Sequence, residues 1–206
     1  MEFTRAGRTS KPAAHPMIAL LNVLAYLPRR PLAPSPQVTY RPVVVLLHGT
    51  NSSPRVFRRL SLALARRGIA FVAPSYGKHG SAPVTECVDE LVETVAGYKE
   101  IDIVGHSFGG LVGLEVARRP ELSGRVRRIV GLGAPWFGQP NRIYIGGASH
   151  RDLACQHFPR TVPDNVTVYS LTSRTDRTVP YTLCRLGRLT VLPRCPQHAP
   201  ITCFAH

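Results

Sequence analysis

The chain contains 206 residues, of which 44% are hydrophobic and 18% charged. This length and composition predict one soluble globular domain and exclude collagen-like, coiled-coil and acidic disordered classes of protein. The formal net charge is +14, and no acidic residue occurs from residue 3 to residue 85, so we expect a basic face that attracts anionic partners.

The first 40 residues predict a basic, proline-rich segment with a short apolar helix, ahead of an ordered domain at 41–206. Residues 17–27 are an apolar run that follows three basic residues, and this run is too short to span a bilayer. It fits either the core of a signal peptide or a helix at a membrane interface. These alternatives favour a secreted or cell-envelope protein that contacts an anionic membrane surface, and a cytoplasmic location stays open.

Apolar runs and helix-length segments alternate along the rest of the chain. The continuous β-branched run at 43–47 is typical of a parallel strand buried on both faces. Ser53 and Pro54 favour the start of a helix. The sequence predicts helices at 54–67, 83–97 and 108–119, and strands at 43–47, 69–72, 101–104, 126–132, 166–171 and 189–192. This order predicts an α/β fold with a mostly parallel sheet and helices on both faces.

Residues 105–109 read Gly-His-Ser-Phe-Gly, a Gly-x-Ser-x-Gly pattern between a predicted strand and a predicted helix. In this position the pattern predicts a nucleophile elbow, a strained turn that presents Ser107 at the N-terminus of a helix. The helix dipole and the amides of the first turn favour developing negative charge there. The alternative interpretation is an inert serine in a glycine-rich turn.

At these residues the chain resembles bacterial lipases of the α/β-hydrolase fold, and the resemblance extends over residues 43–198. The sequence His-Gly-Thr-Asn at 48–51 is similar to the oxyanion loop of that family. The sequence Leu-Gly-Ala-Pro-Trp-Phe-Gly at 132–138 is similar to its Gly-x-Pro-x-x-Gly segment. The resemblance implies that 41–206 is an α/β-hydrolase catalytic domain, and the shortness of the chain predicts minimal or no lid.

The same resemblance implies an oxyanion hole formed by the backbone amides of Thr50 and Phe108. Both residues come after predicted parallel strands. The carboxyl ends of such strands form the edge at which open α/β sheets bind ligands. Two donors fixed at this edge would stabilise the oxyanion of an acyl-transfer intermediate.

In this fold the catalytic residues follow one another in the order serine, acid, histidine. Asp176 is the predicted acid, because it directly follows a late strand and its Asp-x-x-Val-Pro surroundings resemble those of the lipases; Asp152 is the second choice. His198 is the predicted base, since the only other histidine after Asp176 is the terminal His206. His198 would accept the proton of Ser107 while Asp176 orients the imidazole.

Three further residues are expected to border the substrate, namely His106, Trp136 and Phe137. Packing in the core is the competing interpretation for the two aromatic residues. His48 is expected to hold the oxyanion loop by hydrogen bonds. The sequence contains no phosphate-binding loop, dinucleotide fingerprint or cluster with metal-ligand spacing, so neither a cofactor nor a metal is predicted.

The chain has five cysteines, so at least one is unpaired in a single copy. Cys184 and Cys195 flank a short segment and are the preferred disulfide pair if the compartment is oxidising. Buried free thiols are the equal alternative.

The sequence therefore predicts a monomeric serine hydrolase, a lipase or esterase that cleaves lipid or other acyl esters through an acyl-enzyme on Ser107. Acyl transfer and thioester hydrolysis use the same triad, and a non-catalytic module that binds an anionic surface is a further alternative. Nucleic acid is not a predicted partner, because no recognised binding motif occurs and no aromatic residues are interleaved with the basic ones.

Overall fold

The computed structural model describes residues 42–139, 147–155, 158–159, 161–176 and 178–192. Six strands form one sheet in the order β2-β1-β3-β4-β5-β6, and every neighbouring pair is parallel. The strands are β1 (Val43–Leu47), β2 (Phe71–Val72), β3 (Ile101–His106), β4 (Val126–Leu132), β5 (Thr167–Ser173) and β6 (Arg188–Leu192). The predicted α/β fold with a parallel sheet is confirmed.

Helices connect these strands. In the described residues they are α1 (Arg58–Arg66), α2 (Val84–Val95), α3 (Phe108–Ala117) and α4 (Ala148–Cys155). Short 3₁₀ segments lie at Pro54–Phe57, Pro120–Leu122 and Tyr181–Cys184. The first of them supplies the start of the helix predicted at 54–67, so that helix is present with a tighter first turn.

The helices cover both faces of the sheet because the side chains of β1 alternate between the two. Val45 and Leu47 belong to the core cluster that includes α2 and α3. Leu46 belongs to the cluster on the other face, against which Leu60 and Leu64 of α1 pack. Every residue of α3 except Glu115 is buried, since α3 packs against both the sheet and α2. A helix buried all round needs no polar face, which explains its apolar sequence.

Two features of the fold were not predicted. One is α4, which is short and lacks a long apolar periodicity. The other is the turn Gly77–Gly80, in which four consecutive residues have positive φ, including Lys78 at 49° and His79 at 65°. Side chains of L-residues disfavour this region, so the surroundings must hold the turn. The N–H of Gly77 donates to the carboxylate of Glu90 in α2 at 2.7 Å, and the N–H of Gly80 donates to the carbonyl of Tyr76 at 2.9 Å.

Cys87 and Cys184 are buried free thiols, and burial raises the pKa of Cys87 to about 12 and that of Cys184 to about 11. The Cys184 thiol donates to the carbonyl of Pro180, at a sulfur–oxygen distance of 3.8 Å, as the alternative of buried free thiols predicts, and the disulfide with Cys195 stays a prediction. Cys195 lies outside the described residues. So does the segment at 1–40, and within the described part no helix has the length and apolar character to cross a membrane.

Candidate active site

Ser107 lies between the last residue of β3 and the first residue of α3, at φ 52° and ψ −123°. A positive φ in a residue with a side chain is strained and persists only where the surroundings determine it. The N–H of Ser107 donates to the carbonyl of Leu132 at the end of β4, at 2.9 Å, and its carbonyl accepts from the N–H of Gly110 at 3.0 Å. The strand, strained turn and helix expected of a nucleophile elbow are all present.

Glycines on both sides of Ser107 permit this turn because no Cβ fits at either position. A Cβ on Gly105 would lie 2.3 Å from the backbone nitrogen of Gly110. A Cβ on Gly109 would lie 2.1 Å from the carbonyl oxygen of Leu47. The second contact brings the start of α3 against the end of β1, from which the oxyanion loop at 48–51 leaves the sheet.

The loop at 48–51, which is the expected oxyanion loop, passes directly beside Ser107. A Cβ on Gly49 would lie 3.2 Å from the Cβ of Ser107, so glycine allows the closest approach of this loop to the serine. The carbonyl oxygen of Gly49 accepts a hydrogen bond from Nδ1 of His48 at 2.9 Å. Because the peptide that joins Gly49 to Thr50 is planar and trans, the N–H of Thr50 points away from that carbonyl. The hydrogen bond therefore fixes the direction of the Thr50 N–H.

The second expected oxyanion donor belongs to α3. Phe108 is the first residue of that helix, and the N–H groups of a first turn have no acceptor within the helix. Its amide and that of Thr50 lie on segments that both border Ser107. The two expected donors thus come from the ends of β1 and β3, which are neighbouring strands.

Tyr76 packs against the back of the oxyanion loop. Its ring stacks on the imidazole of His48, with centroids 4.4 Å apart and an angle of 22° between the planes. Its hydroxyl donates to the carbonyl of His48 at 2.5 Å. Both side chains are buried, and burial raises the pKa of Tyr76 well above its ordinary value. The pair therefore fixes the peptide groups on both sides of Gly49.

The turn Gly77–Gly80 supports the same loop from the other end. A Cβ on Gly80 would lie 2.7 Å from the carbonyl oxygen of Gly49. The N–H of Ser52 donates to the carbonyl of His79 at 3.0 Å. The strained turn thus lies where it holds the oxyanion loop against Ser107.

Burial lowers the pKa of His48 to about 4, and its hydrogen bond to Gly49 opposes that shift only in part. A carbonyl oxygen only accepts, so Nδ1 of His48 carries the proton. Nε2 is buried with no hydrogen-bond partner in the described part of the chain. The imidazole is neutral near pH 7, and His48 holds the loop by hydrogen bonding as expected.

Asp176 lies in the turn that follows β5. Its Oδ1 accepts hydrogen bonds from the N–H groups of Thr178 and Val179, at 2.8 and 2.9 Å. Its Oδ2 lies 3.3 Å from the position of a Cβ on Gly133. Gly133 follows Leu132, whose carbonyl binds the N–H of Ser107. Ser107 and Asp176 therefore lie on opposite sides of the turn that leaves β4.

The second-choice acid, Asp152, has a structural contact instead. Its Oδ2 accepts the N–H of Val84 at 2.8 Å, which satisfies a donor in the first turn of α2. His198 lies outside the described residues. Among the described residues, no group of three or more His, Cys, Asp and Glu side chains is placed to hold a metal ion.

The three residues expected to border the substrate differ in burial. Trp136 is 0% exposed, and its indole N–H donates to Ser170 at 2.8 Å, as the competing interpretation of core packing requires. Phe137 is half-buried and packs on the edge of the core. His106 is half-buried at the end of β3, next to Ser107.

Sequence reasoning missed Tyr76 and Gln139. The side-chain amide of Gln139 donates to the carbonyl of Thr178, and its backbone N–H donates to the carbonyl of Leu153 at 2.7 Å. Gln139 therefore ties the turn of Asp176 to α4. No local pattern marks either residue, because each acts on a partner at least 14 positions away.

Comparison with known protein families matches residues 44–200 to the family described as the alpha/beta hydrolase family. The match includes both Ser107 and Asp176. The chain belongs to the alpha/beta hydrolase family. Among curated proteins, none matches this α/β hydrolase. The membership accounts for the parallel sheet with helices on both faces.

Solved structures share the fold at low sequence identity. Est1E from Butyrivibrio proteoclasticus, solved with ferulic acid bound, is 16% identical, with a TM-score of 0.58 over 74% of this chain and 80% of that one. The esterase EaEST from Exiguobacterium antarcticum is 14% identical, with a TM-score of 0.60 over 81% and 88%. Alpha/beta hydrolase domain-containing protein 10 from mouse is 15% identical, with a TM-score of 0.61 over 79% and 84%. At these identities the likeness establishes the fold.

Proposed function

We propose that this α/β hydrolase is a serine esterase or lipase that cleaves carboxylic esters through an acyl-enzyme on Ser107. The observation that carries the proposal is the strained conformation of Ser107 between the oxyanion loop and α3. A glycine would adopt φ 52° at lower cost, yet this chain has a serine there. A chemical role for its hydroxyl group accounts for the strained serine.

In the proposed reaction Oγ of Ser107 attacks the carbonyl carbon of the ester, and the imidazole of His198 accepts its proton. The same proton then passes to the departing alkoxide, which leaves the acyl group on Ser107. Water removes the acyl group by the same two steps. His198 enters this scheme from its place in the chain after Asp176 and from the lipase resemblance.

The amides of Thr50 and Phe108 would donate to the oxyanion of both tetrahedral intermediates. Losing one such donor typically lowers kcat by about 10²–10³-fold. The buried contacts of His48 and Tyr76 support this role, because they fix the direction of the Thr50 N–H before substrate binds. Donors oriented in advance need no rearrangement as the charge develops.

Asp176 would orient His198 and stabilise its imidazolium form. The turn uses Oδ1 for two backbone amides, whereas Oδ2 is directed to the residues that follow β4. Ser107 lies on the other side of that turn, where its N–H donates to the carbonyl of Leu132. A histidine that bridges Ser107 and Asp176 would therefore lie over the turn that follows β4.

The resemblance to bacterial lipases supports acyl esters as the substrate class, and one of the structural neighbours is itself described as an esterase. His106 and Phe137 are half-buried next to the nucleophile and after β4, where they could border the acyl group. Trp136 is part of the core, so we leave it out of the proposed substrate contacts.

The replacement of Ser107 by alanine tests the proposal. We expect the purified native chain to hydrolyse p-nitrophenyl esters and to react covalently with a fluorophosphonate probe, and Ser107→Ala to do neither. Ser123→Ala is the matched control, since Ser123 is exposed directly after the 3₁₀ segment Pro120–Leu122, beyond the C-terminal end of α3. Ester turnover that survives in Ser107→Ala would show that Ser107 is not the nucleophile. A native chain that never reacts with the probe would favour a non-catalytic binding module.

A series of p-nitrophenyl esters of increasing acyl length would then separate an esterase from a lipase. An esterase loses kcat/KM as the acyl chain lengthens beyond a few carbons, whereas a lipase retains it on long chains. Transfer of the acyl group to an added alcohol or thiol, in preference to water, would assign the acyltransferase alternative.

A further inference from the structure

The outer face of α1 carries arginines around an exposed leucine. Arg58 and Arg59 precede Leu62 by four and three residues, and Arg66 follows it by four. These are the spacings at which side chains are neighbours on a helix surface. All four residues are exposed, and Leu62 is the more exposed of the two large exposed hydrophobic residues of the described chain, at 48%. We call these four residues the α1 arginine surface.

Among the described residues, no acidic side chain compensates this charge. Residues 42–85 contain five arginines and one lysine but no acid, and no ion pair joins Arg58, Arg59 or Arg66 to any described acidic residue. Several arginines elsewhere are paired with acidic residues, as Arg127 is with both Glu100 and Asp102. The positive charge of the α1 arginine surface is therefore not neutralised by ion pairs with the described acidic residues.

The leucine at the centre of the cluster limits the kind of partner. Arginine binds phosphate groups through two parallel hydrogen bonds. A nucleic acid would favour aromatic side chains for stacking on bases, and none is exposed on α1. A protein interface would usually have a core of several apolar residues, whereas Leu62 stands alone here. A basic helix face with an apolar residue at its centre suits the headgroup region of an anionic bilayer.

We infer that the α1 arginine surface binds the phosphate headgroups of an anionic lipid membrane, with Leu62 inserted among them. This inference does not depend on the proposed reaction, because none of the four residues belongs to the site around Ser107. If the chain is an ester hydrolase, the same contact places it on a surface that contains acyl esters.

The test measures binding of the full chain to vesicles by co-sedimentation, with phosphatidylcholine vesicles that contain or lack a quarter of phosphatidylglycerol. We expect binding only when the anionic lipid is present. The variant Arg58→Gln/Arg59→Gln/Arg66→Gln should bind about 100-fold more weakly, since each basic residue near such a surface contributes about fivefold. High salt should abolish the difference between native chain and variant.

The matched control is Arg151→Gln/Arg185→Gln/Arg188→Gln, which removes the same charge from exposed residues outside α1. It should lose only a few fold in affinity. Leu62→Gln should weaken binding, whereas Leu189→Gln should not, although Leu189 is the other exposed large hydrophobic residue. Far-ultraviolet circular dichroism and the urea midpoint confirm that each variant is folded.

Equal losses in the two arginine triples would overturn the inference, because the effect would then come from net charge alone. So would strong binding of every variant, which would assign membrane contact to another part of the chain. If the α1 triple variant lost binding to a DNA duplex but kept its binding to vesicles, the α1 arginine surface would be a nucleic-acid surface instead. Ser107→Ala should bind vesicles like the native chain, so the failure of the proposed reaction and of this inference are distinguishable.

Discussion

The two sides of the candidate site are held by different kinds of interaction. On the serine side, backbone packs on backbone: Gly105 and Gly109 bring α3 within contact of β1 and β3, and Gly49 lies against Ser107. On the acid side, one carboxylate organises a turn through two hydrogen bonds to Thr178 and Val179. The serine side should therefore tolerate no added atoms, whereas the acid side should keep its shape when its charge is removed.

The largest expected effect on activity comes from a substitution that keeps the shape of the Asp176 turn but removes its charge. Asp176→Asn retains an oxygen that accepts the amides of Thr178 and Val179, so the turn should persist. If Asp176 orients the catalytic histidine, kcat for p-nitrophenyl acetate should fall about 10⁴-fold, which corresponds to about 5 kcal/mol in the activation barrier. The urea midpoint should change little.

Asp152→Asn is the matched control for this prediction. Asp152 accepts the N–H of Val84 at the start of α2, and asparagine retains an oxygen that accepts it, so only the favourable charge at the helix N-terminus is lost, at a cost of about 0.5 kcal/mol. It should leave kcat within a few fold of native. The opposite result, in which Asp152→Asn removes turnover and Asp176→Asn does not, would transfer the role of the acid to Asp152.

The serine side should respond to a single methyl group. In Gly109→Ala the new Cβ would lie 2.1 Å from the carbonyl oxygen of Leu47 and 2.6 Å from that of His48, and backbone atoms cannot move aside as a side chain can. We expect a loss of about 4 kcal/mol in the free energy of unfolding, or no folded protein. Urea denaturation measures the loss.

Gly97→Ala serves as the comparison, since a Cβ at Gly97 meets no atom within 4 Å. It should leave the urea midpoint unchanged or raise it slightly. If both alanine variants were equally stable, the close packing of α3 on β1 would not constrain position 109.

The oxyanion loop should make stability depend on pH. The pKa of His48 in the folded state is about 4, below its ordinary value of about 6.5 in an unfolded chain. Between these values the unfolded chain binds a proton that the folded chain does not. The stability contributed by neutral His48 is complete above pH 6.5 and is lost as the pH falls from 6.5 to 4, by about 3 kcal/mol.

Urea denaturation at intervals from pH 7 to pH 4 measures this dependence. In His48→Asn the side-chain N–H can still donate to the carbonyl of Gly49, but no proton is taken up on unfolding. The free energy of unfolding of this variant should therefore fall less steeply than that of the native chain. Equal slopes would mean that His48 does not titrate in this range.

The same contrast explains how much of the site could be predicted from the sequence. Close backbone packing requires glycine at fixed positions, so the turn at Ser107 and the loop at 48–51 leave a local pattern that indicates both their place and their neighbouring strands. The order of strands and helices was also predictable, because a sheet buried on both faces requires continuous apolar runs such as that at 43–47.

Support from distant side chains leaves no such pattern. Tyr76 acts on His48 from 28 positions away, and the positive φ values of Lys78 and His79 are imposed by tertiary contacts rather than by residue type. The state of Cys184 stayed open for a related reason, since spacing along the chain does not show which carbonyl a sulfur will meet. These features had to be seen in three dimensions.

The smallest expected effect concerns the hydroxyl of Tyr76. Tyr76→Phe keeps the ring that stacks on His48 but leaves the buried carbonyl of His48 without that donor, which should cost about 1–2 kcal/mol of stability. If the hydroxyl also positions the oxyanion loop, kcat should fall about tenfold while KM stays the same, because the loop amides act on the transition state. Steady-state kinetics with p-nitrophenyl esters and urea denaturation measure the two effects.

Tyr98→Phe is the control for the Tyr76 prediction, since Tyr98 lies just before β3 at the opposite edge of the sheet. This variant should alter neither kinetic constant. A stability loss in Tyr76→Phe with no change in kcat would show that Tyr76 supports the fold of the loop but not the orientation of its amides.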